Sequence, residues 1–445
     1  MSCSAGPAMP ASPPLLGNIT MLNRLAAAAA LALVLATPAF ADTLVVTAAR
    51  MVDVERGRYV DNPVVVVTDG RITAVGTAVP AGLPADARRL DLPGLTLLPG
   101  LIDMHVHLAS TPYVSGWNEL DYADDFGAIL QVVHARANLM AGFTTVRNLG
   151  GPDFADVALR QAIDGGFVEG PRVIPSGASF GATGGHCDVT GMPYSMAQAN
   201  PFNTDGVENA RHAVREVRKY GAQVIKVCAT GGVFSRNTEP GQQQMTLAEL
   251  TAVADEAHMW GLKVAAHAHG ASGIADAIRA GIDTIEHASM IDAEGIRLAV
   301  EHGTWLSMDI YNTDFTQATG TEFGVTEDNL RKDRETAQVQ RDGFRAAHRA
   351  GARMVFGSDA AIYPHGQNAR QFAIMVEYGM TPAEAIRAAT WNAAQALGRE
   401  GDVGAIVTGR YGDLIAVSGD PLADVRMLET VPVVIKGGAV VRDAR

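Results

Sequence analysis

Runs of alternating or β-branched apolar residues lie near both ends of the chain, where turn residues separate them. They cover residues 43–47, 63–68 and 71–75 at the amino end and residues 413–417 and 431–435 at the carboxyl end. A period of two residues is typical of antiparallel strands with one buried face. Because both ends carry such strands, we predict that residues 42–97 and 396–445 form one small β-sandwich domain, with the middle of the chain inserted into it.

The middle of the chain has a different pattern, in which apolar runs of strand length alternate with stretches of helical period. This alternation is the pattern of parallel βαβ units. Eight runs are predicted to be strands: residues 101–107, 144–149, 172–176, 223–228, 262–267, 283–287, 304–310 and 352–357. Eight units in about 300 residues match the size of a TIM barrel, so we predict an α/β fold with a (β/α)8 barrel over residues 98–395. A doubly wound open sheet is the alternative, and the number of strands disfavours it.

Residues 21–41 read MLNRLAAAAALALVLATPAFA and follow neither pattern. A basic residue, an apolar run over 25–36 and small residues at 39–41 are typical of a secretory signal peptide. The apolar run is shorter than the ~20 residues that span a bilayer, which disfavours a membrane anchor. We therefore assign residues 1–41 to an upstream segment and a signal peptide, and we predict a secreted or periplasmic chain cleaved after Ala41.

Composition narrows the class of function. The chain has 445 residues, a formal net charge of -13 and 47% hydrophobic residues, as a globular protein with a large core has. Nucleic acids and anionic membranes are bound through basic patches, so the acidic excess favours a small-molecule or dipeptide substrate instead. Cys3, Cys187 and Cys228 are too few and too scattered for a disulfide framework or a cysteine-based zinc site. A metal would therefore need histidine and carboxylate ligands.

Ionisable residues recur at the carboxyl ends of the predicted strands, where the catalytic groups of a TIM barrel lie. The first strand ends in His105-Val106-His107 and the fifth in His267-Ala268-His269, and side chains two residues apart on a strand point to the same side. Strands four, six and eight supply Lys226, His287 and Asp359. Each residue alone is weak evidence, but their joint occurrence at one end of the barrel indicates a metal centre.

The lysine among these residues has a chemical consequence. Lys226 is flanked by apolar residues, so its ammonium group is desolvated and its neutral amine becomes accessible. A neutral amine can take up carbon dioxide, and the resulting carbamate can bridge two divalent cations. We assign one ion to His105, His107 and Asp359 and the other to His267 and His287, with N6-carboxylated Lys226 shared. Zinc suits imidazole ligands and hydrolysis, so we predict two Zn2+ per subunit. A bridging hydroxide would attack the substrate carbonyl, and Asp359 would carry the proton to the leaving amine.

Several segments resemble the amidohydrolase superfamily, and the resemblance extends over about residues 43–442. The superfamily motifs are residues 98–107, Ile225-Lys226-Val227, residues 266–270, Ile285-Glu286-His287 and Gly357-Ser358-Asp359. Residues 183–186, 229–233 and 363–366 are similar to the metal-dependent prolidase-like dipeptidases, a group that includes ochratoxin-hydrolysing amidases. Cys187 and Asn148 depart from that pattern, in which glycine and aspartate are more usual.

The resemblance implies a homo-oligomeric binuclear zinc enzyme that cleaves an amide bond beside a free carboxylate. It also implies that His186 and His269 contact the carbonyl or the carboxylate of the substrate, although His269 could instead support His267. Tyr311 and His365 are further candidates for substrate binding, at the rim of the pocket.

Several functions share this catalytic machinery. The substrate could be an Xaa-Pro or other dipeptide, an N-acyl amino acid, ochratoxin A, a lactone or a cyclic amide, because loops decide specificity. A mononuclear deaminase is disfavoured, since it lacks the bridging lysine. A non-catalytic barrel scaffold would be marked by the loss of a ligand, and all six predicted ligand positions are filled.

Overall fold

The computed structural model describes residues 42–114, 116–190, 193–196 and 200–445, and the predicted signal peptide lies outside the described residues. The strands are β1 Thr43–Asp53, β2 Arg58–Asp61, β3 Val64–Thr68, β4 Arg71–Gly76, β5 Arg88–Pro99, β6 Leu101–Val106, β7 Phe143–Asn148, β8 Arg172–Pro175, β9 Phe180–Gly181, β10 Val224–Cys228, β11 Lys263–Ala268, β12 Thr284–His287, β13 Trp305–Ser307, β14 Arg353–Val355, β15 Leu414–Ser418, β16 Val433–Lys436 and β17 Ala439–Asp443.

The α-helices of the described chain alternate with the central strands and are amphipathic where they cover them. They are α1 Phe126–Met140, α2 Ala155–Asp164, α3 Val207–Lys219, α4 Leu247–Met259, α5 Ala271–Arg279, α6 Ala293–His302, α7 Asn312–Thr319, α8 Glu327–Arg349, α9 Gln371–Glu377, α10 Pro382–Arg387 and α11 Ala393–Ala396. In α3, for example, the buried residues are Ala210, Ala213, Val214 and Val217. This spacing places them on one helix face toward the strands. None of the described helices is long and apolar enough to cross a bilayer.

Strands from both ends of the chain pair in one continuous sheet, in the order β17-β16-β15-β5-β1-β3-β4, with β2 paired to β1. The central pairings are β1 with β5, which is parallel, and β5 with β15, which is antiparallel. Alternate apolar residues such as Val46, Leu92 and Leu414 form a separate core on this sheet. The two ends of the chain therefore share a sheet. That it folds over as a β-sandwich domain, with boundaries at residues 97 and 396, stays a prediction.

Eight parallel strands form a closed ring in the middle of the chain. Strands β6 to β8 make one sheet, and β10 to β14 make another that also includes β9. Backbone hydrogen bonds join the two sheets at both edges: Gln223 donates to Pro175 at 2.8 Å, and His107 donates to Ala360 at 3.0 Å. The fold is thus α/β with the parallel strands and flanking helices of a TIM-type barrel.

The eight predicted strands correspond to β6, β7, β8 and β10 to β14. The seventh and eighth are shorter than predicted, since β13 covers Trp305–Ser307 and β14 covers Arg353–Val355. Residues 308–310 and 356–357 are buried and, apart from Asp309, apolar or glycine, which is why their sequence resembles a strand. Their backbones do not continue the hydrogen bonding between the barrel strands. The N–H of Phe356, for example, donates to the carbonyl oxygen of Ala388.

Candidate active site

The first group of predicted ligands lies where β6 meets the segment after β14. The Nε2 atoms of His105 and His107 are 3.2 Å apart. Asp359 Oδ1 lies 3.4 Å from His105 Nε2 and 3.3 Å from His107 Nε2. Asp359 has a φ of 53°, in the left-handed region that aspartate tolerates, and its N–H donates to the carbonyl of His105 at 2.8 Å. The three predicted ligands of one ion are therefore within reach of a common point.

The second group lies at the ends of β11 and β12. One nitrogen from each of His267, His269 and His287 lies within 4.8 Å of the others. His287 Nδ1 is 3.0 Å from Asp309 Oδ1, and His269 Nδ1 is 2.7 Å from Ser289 Oγ. The structure thus brings together His267 and His287, the ligands predicted for the second ion, and adds His269 to the same group. Whether His269 contacts substrate or supports His267 stays a prediction.

Lys226, on β10, is buried in the same cavity as both groups. Burial lowers the pKa of its ammonium group from 10.5 to about 8, although Glu286 and Asp359 favour the charged form. The charge of Lys226 also lowers the pKa of His105 in the first group and of His267 in the second. Its neutral amine is therefore accessible near neutral pH, as its apolar neighbours in the sequence predict.

A buried ion pair orients the first group. His105 Nδ1 lies 3.0 Å from Glu286 Oε2, and Arg147 Nη2 donates to Glu286 Oε1 at 2.6 Å. Burial alone would raise the pKa of Glu286, but Arg147 and His105 hold it well below its usual value. Because a carboxylate only accepts hydrogen bonds, His105 carries its proton on Nδ1 and keeps the lone pair of Nε2 for a ligand.

The protonation states of the histidines fit a site for divalent cations. Burial and the charge of Lys226 lower the pKa of His105 to about 3, against Asp359 and Glu286. Burial, the neighbouring histidines and Lys226 also lower the pKa values of His267 and His269. Neutral imidazole is the form that binds a metal. His287 differs, since Asp309 raises its pKa against the effect of burial and fixes its Nδ1, which leaves Nε2 toward the other donors. Imidazole and carboxylate donors of this kind suit zinc.

Of the four residues predicted to bind substrate, His186 lies in the cavity beside the donors. Its ring stacks on that of His267 with centroids 4.0 Å apart. Its Nδ1 is buried and has no hydrogen-bond partner among the described residues. This nitrogen lies against Gly232, where a Cβ added to the glycine would clash with it, so the glycine leaves the room that the His186 ring occupies.

The structure does not bring Tyr311 and His365 into the described lining of the cavity. The hydroxyl of Tyr311 accepts a hydrogen bond from Arg370 Nη1 at 3.2 Å. His365 stacks on His134, and its Nε2 lies 3.3 Å from the carbonyl oxygen of His107. Both are buried in the wall behind the site because these partners hold them there, and their role as substrate contacts stays an untested prediction.

The donors open into a cavity of about 860 Å3. A disulfide between Cys187 and Cys228, with Cα atoms 5.8 Å apart, ties the segment that bears His186 to the end of β10. The cysteine count did not predict this bond, because two distant cysteines form no recognisable framework. Arg147, Asp309 and Asn312 were also missed. A charged residue inside an apolar strand is the signal that could have identified Arg147.

A family model, a sequence relative and two solved structures all match this chain to hydrolases. Residues 96–441 match the amidohydrolase family. Ochratoxinase from Aspergillus niger is 33% identical over 372 residues, which cover 77% of this chain and 75% of the relative. A solved Xaa-Pro dipeptidase with methionine bound in its active site has a TM-score of 0.85 and 33% identity, over 90% of this chain and 100% of the other. A prolidase complexed with N-methylphosphonate-L-proline has a TM-score of 0.81 and 32% identity, over 90% and 100% of the two chains.

Proposed function

The chain belongs to the amidohydrolase family, and on this premise we propose that it hydrolyses the amide bond of dipeptides or N-acyl amino acids with two zinc ions. The observation that carries the proposal is the meeting of two groups of imidazole and carboxylate donors beside one buried lysine. The relatives support the hydrolase class, since they include an ochratoxinase, an Xaa-Pro dipeptidase and a prolidase. Ochratoxin A is accordingly one of the candidate substrates.

The proposed ligands divide between the ions as the sequence predicts. They are His105, His107 and Asp359 for one ion, His267 and His287 for the other, and Lys226, as a carbamate, shared between the two. When bound, the ions would supply Lewis-acid chemistry, lowering the pKa of a water molecule and polarising the scissile carbonyl.

Asp359 is proposed to carry the proton. Although burial favours its neutral form, His105, His107 and His287 hold its pKa well below the usual value, so it is ionised and can accept a proton. The acid formed in this way can then protonate the departing amine, which a peptide bond needs before it breaks. His186 and His269 are proposed to bind the carbonyl or the terminal carboxylate of the substrate.

We further propose that the mature chain is secreted or periplasmic, begins at Asp42 and forms a homo-oligomer. The first two proposals rest on the signal-peptide pattern over residues 21–41. The third rests on the resemblance to the family.

A substrate panel tests the activity. Zinc-loaded and chelator-stripped protein would be incubated with Xaa-Pro and other dipeptides, N-acyl amino acids, ochratoxin A, lactones and cyclic amides, and products would be followed by mass spectrometry. We expect zinc-dependent cleavage of amides beside a free carboxylate. Cleavage of lactones or cyclic amides alone would contradict the proposed bond. Metal-free protein that binds a partner protein and cleaves nothing in the panel would favour a non-catalytic scaffold.

A further inference from the structure

One wall of the cavity is rich in oxygen atoms and is not used by the proposed hydrolysis. Helices α7 and α8 supply it, and Asn312, Thr316 and Asp333 line the cavity there. All three residues are at least nine-tenths buried. This wall lies beside the donors, because Asn312 contacts Asp359 directly.

The orientation of the Asn312 amide is fixed by two carboxylates. Its Nδ2 donates to Asp309 Oδ2 at 2.5 Å and to Asp359 Oδ2 at 3.3 Å. Since ionised carboxylates only accept, the NH2 group must face them. The amide oxygen, Oδ1, is left buried and has no donor among the described residues.

Two further oxygens lie on the same wall. Thr316 follows Asn312 by one helical turn, so the two side chains share a face of α7. Thr316 Oγ1 is buried and also lacks a hydrogen-bond partner within the described chain. Asp333 Oδ2 accepts from Thr313 Oγ1 at 2.9 Å and from Gln317 Nε2 at 2.7 Å, which are both neutral donors. The described part of the chain contains no salt bridge to Asp333.

The Asn312 and Thr316 oxygens lack a donor among the described residues, and the Asp333 carboxylate feels the charge of Arg341 without forming a salt bridge to it. Such a set matches a group with several N–H donors and a positive charge. We propose that this wall binds an ammonium group on the acyl half of the substrate, through Asn312 Oδ1, Thr316 Oγ1 and Asp333. The inference rests on the proposed function and narrows it to substrates with a cationic acyl half. N-acyl amino acids without an amine, ochratoxin A among them, are then poor substrates.

The ammonium group can come from two sources. In a dipeptide the α-ammonium nitrogen is two bonds from the scissile carbonyl carbon, which suits a wall whose Asn312 contacts the proposed proton carrier. A basic side chain on the acyl residue would present the same chemistry from further away. Burial raises the pKa of Asp333, against the hydrogen bonds from Gln317 and Thr313, and a bound cation would lower it.

Three matched substrates test the inference with the zinc-loaded full chain: Ala-Leu, N-acetyl-Ala-Leu and Nα-acetyl-Lys-Leu. We expect kcat/KM for at least one of the two cationic substrates to exceed that for N-acetyl-Ala-Leu by roughly 10- to 100-fold, as a hydrogen-bonded charge is worth about that much. A preference for Ala-Leu identifies the α-ammonium group as the source. A preference for Nα-acetyl-Lys-Leu over N-acetyl-Ala-Leu identifies the side chain.

The variants Asp333→Asn and Thr316→Val should reduce the preference for a cationic substrate over N-acetyl-Ala-Leu, and Asp333→Asn should nearly abolish it. Glu335→Gln is the matched control, because Glu335 lies on α8 close to Asp333 in sequence but pairs with Arg331 outside the cavity. Equal cleavage of all three substrates by the wild type, or an undiminished preference in Asp333→Asn, would overturn the inference and leave the proposed function standing. Failure to cleave any amide in the panel would remove both.

Discussion

Asp359 contacts both His105 and His107. Asn312 donates hydrogen bonds to Asp359 and to Asp309, the carboxylate that orients His287. The position of Asp359 therefore links the two groups of donors at the scale of single side chains. The ligand positions could be predicted because their signal is local, as in two histidines separated by one residue on a strand. The roles of Arg147 and Asn312 could not be predicted from the sequence, because both depend on contacts between residues more than 40 positions apart.

Asp359→Asn tests the proton-carrying role. The amide keeps the shape of the carboxylate but cannot accept the proton, so kcat should fall by about 10^2- to 10^4-fold. Much of the metal should remain, since the histidines and Lys226 are intact. Steady-state kinetics and the metal content of the same preparation check this. Unchanged kcat would contradict the role given to Asp359.

Arg147→Met tests the buried ion pair with Glu286. The variant leaves the Glu286 carboxylate buried without its cation, so the free energy of unfolding should fall by about 3–5 kcal/mol in urea. The double variant Arg147→Met with Glu286→Gln should recover part of this loss, because the uncompensated charge is then removed. Equal stability of wild type and Arg147→Met would show that the pair does not support the barrel interior.

At the scale of elements, the barrel strands were predictable and the loops were not. Buried parallel strands are continuous apolar runs, which the sequence displays directly. Residues 308–310 and 356–357 are also buried and, apart from Asp309, apolar or glycine, so the pattern predicts β13 and β14 longer than they are. The loop between β9 and α3 gives no periodic signal, and its attachment to β10 depends on a disulfide between residues 41 positions apart.

The disulfide should stabilise this loop and the substrate side of the site. The double variant Cys187→Ser with Cys228→Ser should lower the free energy of unfolding by about 2–4 kcal/mol, since the bond closes a loop of moderate length in the unfolded chain. KM should rise as the segment bearing His186 loosens. Wild type treated with a reductant is the matched comparison. A melting temperature that neither reduction nor the double variant changes would contradict this prediction.

At the scale of the whole molecule, the two ends of the chain are brought together by the terminal sheet, and the barrel lies between them in sequence. This organisation was predictable because both ends carry the same period-two pattern. The order of the strands was not predictable, because the pattern of one strand does not specify its neighbour. Strand β1 pairs in parallel with β5 and in antiparallel fashion with β3.

The predicted export signal can be tested on the full-length chain. Expression in a host with a periplasm should yield a mature protein that begins at Asp42, because Ala39-Phe40-Ala41 has the small residues of a cleavage site. Intact-mass measurement and amino-terminal sequencing of the periplasmic fraction check this. An exported chain that retains Met1 or Met21 would contradict the assignment.

The central claim is that amide hydrolysis depends on two zinc ions held around Lys226. The most direct measurement is turnover of a cleaved dipeptide as zinc is added back to chelator-stripped protein, with Lys226→Ala treated in parallel. We predict that wild-type activity rises until two equivalents are bound and that the variant stays inactive and fails to bind the pair. Full activity of metal-free protein, or of Lys226→Ala, would contradict the account.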